Sequence, residues 1–373
     1  MKKSFFKTLL LAVCCIFSMS ACGGDNNDNS GSGTGSGDGK NDKPTTETTG
    51  FAKGADVSWL TEMEHDGKKF YNAQGQQQEC MALLKSLGMN AIRLRVWVSP
   101  DGGWCGKDDV LAKAERASKL GMRLMIDFHY SDSWADPSHQ TPPAAWQNYT
   151  AAQMQKAVAQ HTTDVLSALK AKGIGVEWVQ VGNETRDGML WNDGTTAQAK
   201  AVTGRASANA ANYAAYTLAG YNAVKAVYPD AKVVVHVDQG ENQGGFTWLF
   251  DLLKKNGAKW DVIGMSFYPD DSKWQTQTDQ CLANIKTLAT RYSCPVVVSE
   301  TGMAWDSSQA ASMLKKFVDG CKAISNCEGV FYWEPEQYNY WKPANYTTLG
   351  WNAYNKGAFD KSGKPTAALD AFK

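Results

Sequence analysis

The chain has 373 residues, 43% of them hydrophobic, which is enough for one large domain with a full core. Lys plus Arg and Asp plus Glu balance at 38 each, so there is no basic footprint for nucleic acid and the balance suits a neutral ligand. Only the N-terminal segment has the composition of a disordered chain.

Residues 1–21 read as a lipoprotein signal peptide. A basic start, Met1-Lys2-Lys3, leads into an apolar run from Leu9 to Phe17 that is too short for a stable membrane span. It closes on Met19-Ser20-Ala21-Cys22, which resembles a bacterial lipobox with Cys22 as the lipidated residue and the lipid as a membrane anchor. The alternative is an ordinary cleaved signal with a chance cysteine. Residues 22–50 are Gly, Ser, Asn, Asp, Thr and Lys with almost nothing apolar, the composition of a flexible linker. Its start, Gly23-Gly24-Asp25-Asn26-Asn27-Asp28, resembles the acidic tract of lipoproteins sent to the outer-membrane surface of Gram-negative bacteria.

From residue 51 to 373 strand-like and helix-like stretches alternate. Strands are predicted at 54–58, 91–98, 123–130, 176–182, 232–237, 262–268, 296–300 and 329–334, and helices at 77–87, 110–120, 151–172, 208–228, 247–255, 280–291, 308–323 and 366–372. Eight alternations predict a (β/α)8 TIM barrel in a single domain. A doubly wound open sheet is the rival, but no Gly-x-Gly-x-x-Gly turn follows the first strand. Residues 351–373 read as the last loop and helix.

The predicted strand tips carry the chemistry. The fourth strand ends in Gly182-Asn183-Glu184 and the seventh in Ser299-Glu300. Two strand-tip glutamates on one barrel rim are the pair a glycosidase needs. Other tips supply Arg95, His129, Trp134, His236, Asp238, Tyr268 and Trp333. Fourteen tryptophans, several beside these tips, offer flat faces for sugar rings. Singly, each has a plainer explanation, such as a core aromatic, a structural ion pair or a satisfied core histidine. Their joint placement at strand ends favours a site.

Several segments resemble one known family. Gly-Ala-Asp-Val-Ser-Trp (54–59), Arg-Leu-Arg-Val-Trp (93–97), Asp-Phe-His-Tyr-Ser-Asp-Ser-Trp-Ala-Asp-Pro (127–137), Val-Gln-Val-Gly-Asn-Glu (179–184), Gly-Met-Leu-Trp (188–191) and Trp-Asp-Val-Ile-Gly-Met-Ser-Phe-Tyr-Pro (260–269) are similar to the endo-β-1,4-galactanases of glycoside hydrolase family 53. The resemblance runs from about residue 51 to the end. It implies a retaining hydrolase of galactan without cofactor, with Glu184 as acid/base and Glu300 as nucleophile. It also implies Asn183 on the sugar 2-hydroxyl, Arg95 and Tyr268 holding Glu300 ionised, and His129 and Trp333 lining the cleavage subsite. Trp134, His236 and Asp238 complete the expected substrate-binding set, and the enzyme is expected to act as a monomer. Another barrel glycosidase, a mannanase or glucanase, and a non-catalytic surface glycan-binding lipoprotein are the competing functions.

Some members of that family carry a calcium loop after the nucleophile. Here Glu300 is followed by Thr-Gly-Met-Ala-Trp-Asp-Ser-Ser, so no calcium is expected there and the expected site includes no metal. The six cysteines beyond the leader suggest disulfides between sequence neighbours, Cys80–Cys105, Cys281–Cys294 and Cys321–Cys327; free buried thiols are the alternative.

Overall fold

The computed structural model describes residues 50–192 and 194–373. The predicted signal peptide, Cys22 and all of the predicted linker but Gly50 lie outside the described residues. Eight parallel strands close into a barrel: β1 Ala52–Asp56, β2 Ala91–Val96, β3 Arg123–Phe128, β4 Trp178–Val181, β5 Lys232–Val237, β6 Val262–Phe267, β7 Val296–Thr301 and β8 Cys327–Trp333. Each strand pairs with its sequence neighbours, and β1 closes the ring against β8 and β2. The (β/α)8 expectation holds, with every predicted strand present.

Helices cross between strands, the longest being Ala151–Ala171, Ala206–Val227 and Trp274–Tyr292. The first of these opens on a capping box between Thr150 and Gln153, which satisfies free backbone donors at both residues. Residues 77–78 were expected to begin a helix; instead Gln77–Gln78 pairs with Phe70–Tyr71, and Glu79 caps the helix Cys80–Ser86 by accepting from Ala82 N. The short helices Leu60–His65, Ala197–Val202 and Ala344–Leu349 lie in stretches that carry too few apolar repeats to show a helical period.

The barrel wall alternates, and the alternation decides where the chemistry sits. Outward residues such as Ile92, Leu94 and Val96 on β2 pack under the helices in one continuous core. Inward residues divide by height. At the base Ala52, Ala91, Met125, Trp178, Val234, Val262, Val297 and Phe331 form a separate apolar plug. One pleat higher the inward positions turn polar: Asp56, Arg93, Asp127, Gln180 and His236, all fully buried. A dry plug below and a polar layer above give the barrel one functional end.

One irregularity aims Glu300. On β7, Val297 belongs to the inner plug and Val298 to the outer core. Strict alternation would turn Glu300 outward with Val298. The ladder to β6 instead pairs Met265 with Val298 and the next residue, Ser266, with Glu300, so Ser299 is the extra residue of a bulge. The bulge restores an inward direction to Glu300.

The six described cysteines outside the leader are free thiols, which corrects the three expected disulfides. Their partners are local to each packing site: Cys105 Sγ meets the Ser58 carbonyl at 3.6 Å and Cys281 Sγ meets Met265 Sδ at 3.7 Å. Cys321 and Cys327 do lie near each other, with Cys327 Sγ 3.9 Å from the Gly329 carbonyl.

The plug is packed without slack. A Cβ on Gly54 would fall 2.1 Å from Phe331 Cδ1. Gly54→Ala should therefore destabilise the barrel by about 1–3 kcal/mol. A thermal-melt comparison checks it, and an unchanged melting temperature would mean that the plug has room.

Candidate active site

Glu184, Glu300, Asn183, His129, Trp134, Tyr268 and Trp333 line one cavity of about 190 Å³ at the C-terminal end of the barrel. Three larger hollows, of about 490, 360 and 340 Å³, lie at the opposite end, and one of about 260 Å³ lies beside Trp134 and Trp351; none is lined by Glu184 or Glu300. The cavity walls also include Ala135, Asp136, Tyr346, Trp351, Tyr354 and Lys356. Three of these come from residues 351–356, a stretch whose sequence reads only as a closing loop. Trp-x-x-Tyr-x-Lys beyond the last strand was the available signal.

Glu300 is held on both oxygens. Arg93 Nη2 lies 2.9 Å from Oε1 and the Tyr268 hydroxyl donates to Oε2 at 2.9 Å. Burial pushes the Glu300 carboxyl up to about 7; the Arg93 charge pulls it down, while Asp127 and Asp56 add to the rise. Tyr268 keeps its proton, because burial and the neighbouring Glu300 raise its hydroxyl well above the ordinary range. Tyr268 thus stands on Glu300.

Arg95 does not. It was expected on Glu300, but its guanidinium pairs with Glu334 and stands among indole rings, 4.4 Å from Trp134, 5.4 Å from both Trp59 and Trp97, and 6.0 Å from Trp333. The residue on Glu300 is Arg93. Both arginines occupy inward positions of β2, so period-two reasoning cannot choose between them. Arg93 lies level with Asp56 across the β1 ladder and reaches the centre. Arg95 instead fixes the aromatic wall by cation–π attraction.

Glu184 follows β4 with φ 46°, a left-handed conformation uncommon outside glycine. Burial raises its carboxyl well above the usual range, and the charges of Glu300 and Asp238 add to the rise. Ser266 Oγ is 2.6 Å from Glu184 Oε1. Two carboxyls on one cavity are therefore set apart, one paired with a cation and one kept from ionising.

The remaining expected residues divide. Asn183 lines the cavity; its Nδ2 donates to the Ala135 carbonyl at 2.7 Å and its Oδ1 accepts from Arg93 Nη2 at 3.0 Å. His129 lines the cavity too, but both ring nitrogens are engaged. Nδ1 accepts from Trp97 Nε1 at 3.2 Å and from Ala135 N at 3.0 Å, so Nε2 carries the hydrogen that faces Asp127 Oδ2 at 3.0 Å. Its part is to orient rather than to bond substrate. Trp333 stands edge-on to Trp59 and Tyr354, with ring centres 5.0 and 4.4 Å away.

His236 and Asp238 are not among the residues that line this cavity. His236 is fully buried behind Asn183 and Ser266. Asp238 pairs with Arg186 at 3.0 Å and acts on the site through its charge near Glu184. Among the described residues no group of three or more His, Cys, Asp or Glu is placed to hold a metal ion.

The family profile described as Glycosyl hydrolase family 53 matches residues 52–372. The chain belongs to this family. It is 28% identical over 345 residues to an endo-beta-1,4-galactanase of Bacillus subtilis, covering 82% of this chain and 75% of the relative. It is 31% identical over 312 residues to a probable arabinogalactan endo-beta-1,4-galactanase A of Aspergillus terreus, covering 76% and 85%. Among solved structures, the family 53 catalytic domain of Ignisphaera aggregans is similar at 28% identity and a TM-score of 0.76, covering 88% of this chain and 98% of that one. A fungal beta-1,4-galactanase is similar at 28% identity and a TM-score of 0.73, covering 86% and 98%.

The two arginines of this family 53 chain should separate on substitution. Arg93→Gln should lower kcat/KM by about 100-fold or more and move the acid limb of its pH profile upward, because Glu300 loses the cation that favours its ionised form. Arg95→Gln should leave that limb in place and lower the melting temperature, since it strands Glu334 in the core, a loss of about 3–5 kcal/mol for a broken buried pair. The reverse assignment of effects would return Arg95 to Glu300.

Proposed function

We propose that the chain is an endo-acting β-1,4-galactanase that cleaves internal bonds of galactan and of type I arabinogalactan side chains with net retention. The observation that carries this is the division of labour between the two glutamates. Glu300 is bonded to Arg93 and Tyr268, while Glu184 is kept protonated beside it on one sugar-sized cavity. The names of the relatives support the choice of galactan.

The chemistry follows in two steps. The Glu300 carboxylate attacks the anomeric carbon from one face, and Glu184 gives its proton to the departing glycosidic oxygen. Glu184, now ionised, takes a proton from water, which attacks the same carbon and releases Glu300. Trp333 is the floor on which the ring stacks, and the second Nδ2 hydrogen of Asn183 is the donor for the 2-hydroxyl. Glu300 must be ionised and Glu184 protonated, so kcat/KM should rise as pH climbs through the raised Glu300 value, about 7, and fall when Glu184 deprotonates at higher pH.

Incubation with linear β-1,4-galactan, mannan and cellulose side by side tests the assignment. A ladder of oligosaccharides from galactan alone is expected. Release from mannan or cellulose instead would identify another barrel glycosidase, and binding of galactan without new reducing ends would leave a binding protein. Glu300→Ala should lose nearly all turnover and, with azide and an activated substrate, form the α-galactosyl azide; the β-anomer would exchange the roles. Glu184→Ala should retain more activity on substrates with good leaving groups.

We propose further that the enzyme is a monomer held by lipid on Cys22, with residues 22–50 as a tether and the outer-membrane surface as its place. Metabolic labelling with an alkyne fatty acid should mark the wild type and not Cys22→Ala, and protease treatment of intact cells should release the domain. An unlabelled wild type would leave an ordinary cleaved signal.

A further inference from the structure

A polar chain runs from Glu184 through Ser266 and His236 to Asn183. Ser266 Oγ lies 2.6 Å from Glu184 Oε1 and 2.8 Å from His236 Nε2, and His236 Nδ1 lies 3.0 Å from Asn183 Oδ1. Each link needs one donor and one acceptor, so the direction of one link sets the others.

The far end is set by the fold. Asn183 Nδ2 donates to the Ala135 carbonyl at 2.7 Å, while Oδ1 accepts from Arg93 Nη2 and Gln180 Nε2, each at 3.0 Å. The amide cannot turn over without breaking all three bonds, so the atom facing His236 is an acceptor. His236 Nδ1 then carries the hydrogen. The ring is neutral, because burial, with Arg93 and His129 nearby, holds it well below the ordinary histidine range. A neutral ring protonated at Nδ1 has a bare Nε2, which accepts the Ser266 hydroxyl hydrogen. That hydroxyl has no second hydrogen. Toward Glu184 it can only accept, and the hydrogen in that 2.6 Å contact belongs to the carboxyl.

We propose that Ser266 and His236 are positioning residues that form a relay with one preferred direction, holding the Glu184 proton until a leaving oxygen takes it. The opposite direction is available but inferior. With Glu184 ionised, Ser266 turns its hydroxyl to the carboxylate, His236 donates from Nε2, and a bare Nδ1 faces the Asn183 oxygen at 3.0 Å. The donor left for Nδ1 is the Glu184 backbone N–H, at a long 3.4 Å. Other charged groups act on the pair from every side: Glu300 from β7, Asp238 beyond β5 with its partner Arg186, and Asp136 beyond β3 around Glu184, and Arg93 from β2 and His129 beyond β3 around His236. These stay in place when Ser266 is changed, so a Ser266 variant isolates the relay.

The inference rests on Glu184 being the acid of the proposed reaction. The test is the pH dependence of kcat/KM on linear galactan for the wild type, Ser266→Ala and Ser266→Thr. Losing the acceptor should move the alkaline limb of S266A to lower pH by about one unit, the equivalent of one hydrogen bond, and S266T should bring it back. An S266A limb that stays in place or moves to higher pH overturns the relay, since a hydroxyl that serves the carboxylate favours its ionised form. A second measurement needs no substrate and no altered relay. Side-chain ¹⁵N shifts of the resting enzyme, with His236 assigned by subtraction against single variants of the other four histidines, should show hydrogen on Nδ1. Hydrogen on Nε2 overturns the proposal. A wild type inert on galactan with hydrogen on Nδ1 would sink the functional reading and leave the relay standing.

Discussion

The Arg93 guanidinium is the contact on which the upper barrel depends. It is fully buried and reaches Asp56 at 2.7 Å, Asp127 at 2.9 Å and Glu300 at 2.9 Å, with Gln180 and Asn183 on the same nitrogen as Asp127. Burial disfavours a cation there, but the carboxylates of Asp127, Glu300 and Asp56 outweigh it and the group stays charged. One cation shared among three carboxylates leaves the cluster short of positive charge. Burial and this shortage together hold the Glu300 carboxyl well above the ordinary range. The network also ties β1, β2, β3, β4 and β7 together by side chains, so the site and the barrel top form one cooperative unit.

Around this centre the backbone adopts conformations that relaxed chains avoid. Tyr130, Glu184, Gln239 and Glu334, each just beyond a strand end, have φ values of 50°, 46°, 56° and 48°. Left-handed residues of this kind persist where the surroundings over-determine them. Here the surroundings are the β-ladders below and the aromatic wall above, in which Arg95 holds Trp59, Trp97, Trp134 and Trp333 by their faces. The second arginine of β2 thus works on the aromatic wall and the first on the carboxylates.

The two glutamates are made different by their neighbours rather than by their own chemistry. Glu300 faces a guanidinium and a phenol; Glu184 faces a hydroxyl backed by a neutral imidazole, with two further carboxylates near it. Displacing either environment by one pleat would leave two equivalent acids and no direction for the proton. The bulge at Ser299 prevents this on β7 by turning Glu300 to the inside of the barrel.

The eight strands, the barrel class and the pair Glu184 and Glu300 were legible in the sequence, because apolar runs, their spacing and strand-tip polar residues are local properties. Tyr268, Asn183, Trp134 and Trp333 were legible for the same reason. The exchange of Arg95 for Arg93 was not, since both point inward and only height in the closed barrel separates them. Nor was the retreat of His236 and Asp238 from the cavity, the entry of Trp351, Tyr354 and Lys356 into it, or the free state of six cysteines. Period and composition say which face a residue takes. How far it stands along the barrel axis, and what comes to meet it there, is set by strands distant in the chain, and only the closed tertiary structure brings those together.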